Sequence, residues 1–296
     1  LFVLPLALLP YALSYLVWTV STYLALNFAL SKFIATRWAF FGLLAFPGVL
    51  MNALTGQNGL LIAALFSLAC YTLDKRPIVA GILIGLISIK PQFGVLWPVA
   101  LLCGRHWSAF ASATVSTVAL AAIALFVFDV EFWVEFAKRF VNAQQNLDSG
   151  LMDWIKVPTV YGSGRLLGFG AAPSYALHAV VAAGAIILMG LAWINSAPIE
   201  IRASLLALAT LIVLPRVLFY DFALLALPIA LMTATGLKSG WRPYDRPLLL
   251  LAWLTPLIGL VLAIALKVHL TPIVLASLLF AAWQRSVPEI KATPGA

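Results

Sequence analysis

From Ser108 to Phe128 the chain carries no charged side chain. That run is long enough to cross the hydrocarbon core of a bilayer, which takes about 17–25 mostly apolar residues. It is one of a series. Comparable runs fall near Phe2–Leu26, Trp38–Met51, Gly59–Leu73, Ile78–Ile89, Phe93–Cys103, Ser174–Ile194, Ala203–Leu214, Asp221–Thr235, Leu248–Leu266 and Thr271–Trp283. Lipid offers no partner to an unpaired backbone group, so each is expected to be helical. Composition agrees: the chain is 64% hydrophobic and 9% charged, where an ordinary soluble domain is about 25% charged. The fold expected is all-α, a polytopic transmembrane helical bundle of about 10–11 membrane helices, several of them short broken pairs. Residues 1–286 form one transmembrane domain in this reading. Residues 129–172 make a long extracytoplasmic loop and 287–296 a cytoplasmic tail.

Ile78–Cys103 could be taken as one span, but Lys90-Pro91 interrupts it. Proline inside a helix removes a hydrogen bond and clashes with the preceding turn, at about 3 kcal/mol. Two short helices meeting at a tip are expected instead. The distribution of basic residues supports this. With alternating crossings, Lys32, Arg37, Lys75, Arg76, Arg105, Arg202, Lys238, Arg242, Arg246, Arg285 and Lys291 share one side, which the positive-inside rule makes cytoplasmic. Lys90, Arg216 and Lys267 lie in short loops of the other side, and the pattern holds only if Ile78–Cys103 goes out and back. A net charge of +8 is therefore a signature of orientation, and no nucleic-acid partner is expected. The expected location is the cell membrane, with membrane lipids as partners.

In this topology Leu1 lies outside. The chain does not begin with Met, so an upstream helix and outer loop are expected. Within the long loop, Phe132, Trp133, Phe136, Phe140 and Val141 recur at helical spacing against Glu135, Lys138 and Arg139. Glu131–Gln145 is expected to be an amphipathic helix lying in the interface. Cys70 and Cys103 have no metal-type or redox spacing and are expected to be packing residues.

The polar residues that break the apolar pattern gather on the outer side: Gln57, Asn58, Lys90, Gln92, Arg216, Tyr220, Asp221, Lys267 and His269. Charge at membrane depth is expensive, about 2.5–3.5 kcal/mol or more for a central Lys or Arg, which makes such residues functional candidates. Lys90 is the sharpest, a compact ammonium at a helix break suited to a phosphate oxygen. The alternative is a lysine that only snorkels to the headgroups. Gln57, Asn58 and Gln92 supply neutral donors and acceptors of the kind that recognise sugar hydroxyls, or they simply cap helices and turn the chain. Arg216 could bind phosphate while Asp221 orients an acceptor or fixes Arg216, or Asp221 could be the N-cap of the next helix. His269 is a weaker candidate, and His106 and His178 are expected to be structural. No metal-ligand cluster, nucleophile–base pair, Walker sequence or dinucleotide fingerprint is present. No cofactor or metal site is expected, with a divalent metal left open.

At these residues the chain resembles glycosyltransferase family 87, membrane proteins of the GT-C superfamily. The resemblance runs through Leu4-Pro5-Leu6-Ala7-Leu8-Leu9-Pro10, Gly56-Gln57-Asn58-Gly59, Ala80-Gly81 to Lys90-Pro91-Gln92, Arg105-His106-Trp107 and Tyr220-Asp221-Phe222. It implies transfer of a hexose, typically mannose, from a polyprenyl-phosphate donor to a lipid or glycan acceptor on the outer face, with inversion. Lys90 and Arg216 would then face the donor phosphate, and Gln57, Asn58, Gln92, Tyr220 and Asp221 the substrates. The superfamily places its catalytic aspartate in the first outer loop, so the base is expected upstream of Leu1, unless Asp221, Asp129 or Glu131 substitutes for it. A transporter or lipid flippase, or a noncatalytic scaffold, would use similar helices.

Overall fold

Proline and glycine decide where the apolar runs break. The computed structural model describes residues 3–34, 37–148 and 153–287. Among these residues lie thirteen α-helices and no strand. The first six are α1 (Tyr11–Leu30), α2 (Arg37–Leu44), α3 (Pro47–Thr55), α4 (Gly59–Thr72), α5 (Pro77–Leu86) and α6 (Trp97–Cys103). Then follow α7 (Trp107–Asp148), α8 (Val160–Leu166), α9 (Ala171–Ile194), α10 (Ile199–Val213), α11 (Ala226–Ser239), α12 (Asp245–Leu266) and α13 (Thr271–Gln284). Five stretches are long and apolar enough to cross a membrane: Tyr11–Leu30, Trp107–Arg139, Ala171–Ile194, Phe219–Ser239 and Asp245–Leu266. The protein is an all-helical, multi-pass membrane protein.

Several expected helices divide differently. Trp38–Met51 is two helices, because Pro47 opens α3 and holds Phe46 in an extended conformation. Phe2–Leu26 becomes a 3₁₀ turn at Leu4–Leu8 and then α1, which starts only after Pro10. Phe93–Cys103 starts as a 3₁₀ turn at Pro91–Gly94, and Asp221–Thr235 starts within one at Phe219–Leu225. The helix expected over Glu131–Gln145 is the second part of α7, which bends at Asp129 (φ 62°, ψ 167°) and continues to Asp148. The described residues of 129–172 are thus largely helical and include α8, which hydrophobic periodicity does not mark. Most of the expected tail, 288–296, lies outside the described residues.

At the centre stands α10, where every residue from Ile201 to Ile212 is buried. A helix that is apolar all round belongs in the middle of a bundle, and α9, α11 and α13 surround it. At the edge, the most apolar stretch of α7 buries no residue. The earlier part of α7 packs on α5 through small side chains. Ser112 Oγ donates to the Ile78 carbonyl over 2.8 Å, Gly81 faces Ala109, Ser112 and Ala113, and Gly85 faces Ser116 and Thr117. Residue numbers rise together on the two helices, so α5 and α7 run parallel. The chain between them must therefore travel away and return, which is the broken hairpin with Lys90 at its tip. At about 1.5 Å per residue, that tip stops roughly 10 Å short of the bend at Asp129. Non-helical backbone at such depth is tolerated where it is packed in protein or lines a cavity.

The opposite end of the bundle is tied by charge. Arg202, buried, pairs with Asp74 over 2.8 Å, lies 5.2 Å over the Trp193 ring and donates to His106 Nε2 over 3.1 Å. Arg285 and Asp245 form a second buried pair, and the Asp245 carboxylate also accepts the Arg242 N–H at 2.7 Å. As an acceptor, His106 must be unprotonated. Burial and then Arg202 push its pKa below the ordinary imidazole range, with Asp74 acting in the other direction. The unfolded chain, whose histidine titrates near about 6.5, binds that proton more readily, so this contribution is complete above about pH 6.5 and is lost as pH falls below it. Thermal unfolding in detergent is expected to shift downward between about pH 7.5 and 5.5, and less so in His106→Gln. An equal shift in both proteins would remove His106 as the cause.

Candidate active site at the hairpin tip

Pro91 bars Lys90 from helical geometry, and Lys90 sits at φ −132°, ψ 76° between two 3₁₀ turns. Its ammonium forms an ion pair with Asp221 Oδ1. The second oxygen, Oδ2, accepts the Leu218 N–H at 3.0 Å. The rings of Phe93 and Tyr220 each lie 5.1 Å from Lys90 Nζ, within the range of about 6 Å at which an aromatic face attracts a cation. The side chains of Lys90 and Asp221 are 12% and 5% exposed, so this pair belongs to the interior. Asp221 is therefore neither the N-cap of a helix nor the partner of Arg216. It is the third residue of the 3₁₀ turn, and its two oxygens hold that turn and the hairpin tip together.

A further layer fixes Tyr220. The Asn52 amide donates to its carbonyl over 3.2 Å, and Asn52 is itself buried. A Cβ on Gly59 would come within 2.8 Å of that same carbonyl and 2.5 Å of Asn52 Nδ2. Only glycine lets the start of α4 approach so closely, which brings the Gly56–Gly59 turn beside Tyr220. Gln57 and Asn58 are half-buried and line a cavity of about 600 Å³ with Tyr11, Tyr15, Trp18 and Thr55. Asn58 precedes α4 without a capping hydrogen bond, and its Oδ1 is buried with no partner.

Arg216 is exposed, and no ion pair engages it among the described residues. Its turn is pinned by Thr159 Oγ1, which donates to the Pro215 carbonyl over 2.8 Å. Gln92 is exposed and lines a mostly apolar groove bordered by α5, α6 and α7. His269 is buried and its Nε2 donates to the Trp154 carbonyl over 2.8 Å. Burial lowers its pKa, against the opposing effect of that hydrogen bond, so the ring is a neutral tie between two connections. His178 makes a similar bond to the Val213 carbonyl, 2.9 Å. Asp129 and Glu131 are exposed on α7. No cluster of side chains suited to a metal ion occurs among the described residues. The structure thus gathers Lys90, Tyr220 and Asp221 with the Gln57-Asn58 turn close by, and gives His269 a packing role. Asn52 escaped the sequence reading, although an amide inside an apolar run was a visible signal.

These features define a multi-pass membrane protein with a polar, largely interior constellation near one end of its helices. The chain belongs to glycosyltransferase family 87, whose model matches residues 1–215. No curated protein and no solved structure matches it. The matched region includes Gln57, Asn58, Lys90 and Gln92 and ends just before Arg216. The protein is a glycosyltransferase.

Proposed function

We propose that it transfers a hexose, mannose in the first instance, from a polyprenyl-phosphate donor to a lipid or glycan acceptor on the extracytoplasmic face. The observation that carries this reading is the interior Lys90–Asp221 pair with the exposed Arg216 close by. When the anomeric C–O bond breaks, the electron pair leaves on the polyprenyl phosphate, which gains one negative charge. Cations fixed beforehand at that position stabilise the transition state more than the ground state. Arg216 presents a planar fork suited to two phosphate oxygens, and Lys90, positioned by Asp221, adds a point charge. The acceptor hydroxyl attacks the anomeric carbon from the opposite face and gives its proton to a carboxylate base, with inversion. With both oxygens engaged, Asp221 serves to position Lys90 and is not assigned as that base. The basic residues support this face: Lys75, Arg76, Arg105, Arg202, Lys238, Arg242, Arg246 and Arg285 lie at the end away from Lys90.

Arg216→Gln is expected to lower kcat/KM for a polyprenyl-phosphate mannose donor by about 100-fold, with partial recovery in Arg216→Lys. Radiolabelled transfer in membranes measures this. Activity with nucleotide sugars and none with polyprenyl-phosphate hexoses would overturn the assignment of the donor.

A further inference from the structure

Arg216 is the exposed residue of Pro215–Leu218, yet the turn that carries it is fixed on both sides. After it, the Leu218 N–H donates to Asp221 Oδ2 over 3.0 Å. Before it, the Pro215 carbonyl accepts from Thr159 Oγ1 over 2.8 Å. Between these bonds Val217 is fully buried and anchors the turn. Pro215 also holds Leu214 in an extended conformation (ψ 119°), which ends α10 and sets the direction in which the chain enters the turn. Thr159 reaches this turn from 56 residues earlier. It is 5% exposed and stands at the N-cap of α8, where its Oγ1 accepts the Gly162 N–H at 3.0 Å. Capping uses a lone pair of the hydroxyl and leaves its proton for a second partner, which here is the Pro215 carbonyl. One buried oxygen thus joins α8 to the Arg216 turn. Its own seat is tight: a Cβ on Gly162 would collide with the Val157 carbonyl, and Ser163 Oγ donates to the Thr159 carbonyl over 2.7 Å.

We infer that Thr159 is a positioning residue for sugar transfer: through its tie to the Pro215 carbonyl it sets where the Arg216 guanidinium stands as the donor phosphate departs. This rests on the role proposed for Arg216. The two cations are then placed by different means. Lys90 is held at its ammonium by Asp221, whereas Arg216 has no ion pair among the described residues and takes its position from its backbone. A shift of the turn is therefore carried to the guanidinium, with no contact at the charged end to correct it. A cation stabilises a developing charge without reorganisation only if it stands in place beforehand. An error of about an ångström at a reacting centre can lower the rate by about 100-fold. Because this interaction strengthens in the transition state, its loss falls on kcat and leaves KM little changed. A hydroxyl that only fastened α8 would instead lower the unfolding temperature and leave turnover as it was.

Thr159→Val keeps the shape of the side chain and removes its hydroxyl, and Thr159→Ser keeps the hydroxyl. With the protein in nanodiscs, radiolabelled transfer from polyprenyl-phosphate mannose is expected to fall about tenfold in kcat at unchanged KM in Thr159→Val, and to stay near wild type in Thr159→Ser. In an Arg216→Gln background Thr159→Val should cost nothing further, because residues that act as one unit are not additive. A second readout is independent of turnover: a nitroxide attached at Arg216→Cys should gain mobility with Thr159→Val and not with Thr159→Ser. Should Thr159→Val not fold, Thr159→Gly takes its place, since glycine is tolerated at an N-cap. Unchanged kcat, an equal loss in the Arg216→Gln background, or unchanged nitroxide mobility overturns the inference. If the nitroxide is freed but Arg216→Gln keeps the full rate, or polyprenyl-phosphate hexoses support no transfer at all, the proposed reaction fails, the catalytic role of Thr159 fails with it, and only the tie to the turn stands.

Discussion

Lys90→Ala is expected to abolish sugar transfer and to destabilise the protein at the same time. The substitution removes an ammonium from the tip of the hairpin and leaves the Asp221 carboxylate, 5% exposed, with only the Leu218 N–H as partner. Breaking a buried ion pair by removing one member costs about 3–5 kcal/mol, since the remaining charge is neither solvated nor matched. Loss of activity alone would therefore leave chemistry and folding entangled. The double variant Lys90→Met with Asp221→Asn separates them. It removes both charges, keeps an oxygen for the Leu218 N–H and preserves volume, and such neutral replacements of a buried pair are often close to neutral in stability. Thermal unfolding in detergent is expected to return near the wild-type value while radiolabelled transfer stays below detection. Wild-type transfer by the double variant would show that the pair only fastens the hairpin to the 3₁₀ turn.

Much of the architecture was legible because lipid allows few solutions. An apolar run must be helical, and Lys90-Pro91 announced the broken hairpin through the proline rule. The same rule applied to Pro47 and Pro10, where apolar composition hid the breaks. Side-chain partners were much less legible. Asp221 stands five residues from Arg216, and pairing between them is what proximity in sequence suggests. Its partner is Lys90, 131 residues away. That choice depends on α3 and α4 holding the 3₁₀ turn against the tip through Asn52 and Gly59, a tertiary arrangement that no local pattern encodes. His269, a weaker site candidate by sequence, is a buried tie to Trp154 for the same reason. The two ends of the bundle also use charge differently. At the basic end, the Arg202–Asp74 and Arg285–Asp245 pairs close helix termini onto each other. At the other end one ion pair is spent on the hairpin tip, and Arg216 is left exposed beside it.

Gly81→Leu should disable the enzyme from a distance. A Cβ at Gly81 would lie 2.5 Å from the Ala109 carbonyl oxygen and 2.8 Å from the Ala113 nitrogen, both backbone atoms that no rotamer change can move aside. Gly85 follows one turn later against Ser116, which makes a small-residue stripe of the kind that lets membrane helices approach closely. In lipid such contact supplies much of the attraction between helices, so forcing them apart forfeits it, and overpacking adds a cost of about 1–3 kcal/mol. Because α5 leads straight into the tip, displacing it from α7 by even an ångström moves Lys90 relative to Asp221 and to the proposed donor phosphate. An error of that size at a reacting centre can lower the rate by about 100-fold. Gly184 in α9 provides the control, since a Cβ there meets nothing within 4 Å. Gly81→Leu is expected to unfold at lower temperature and to lose transfer activity, and Gly184→Leu to do neither. Equal behaviour of the two variants in unfolding and transfer assays would mean that something other than the α5–α7 contact holds the hairpin tip in place.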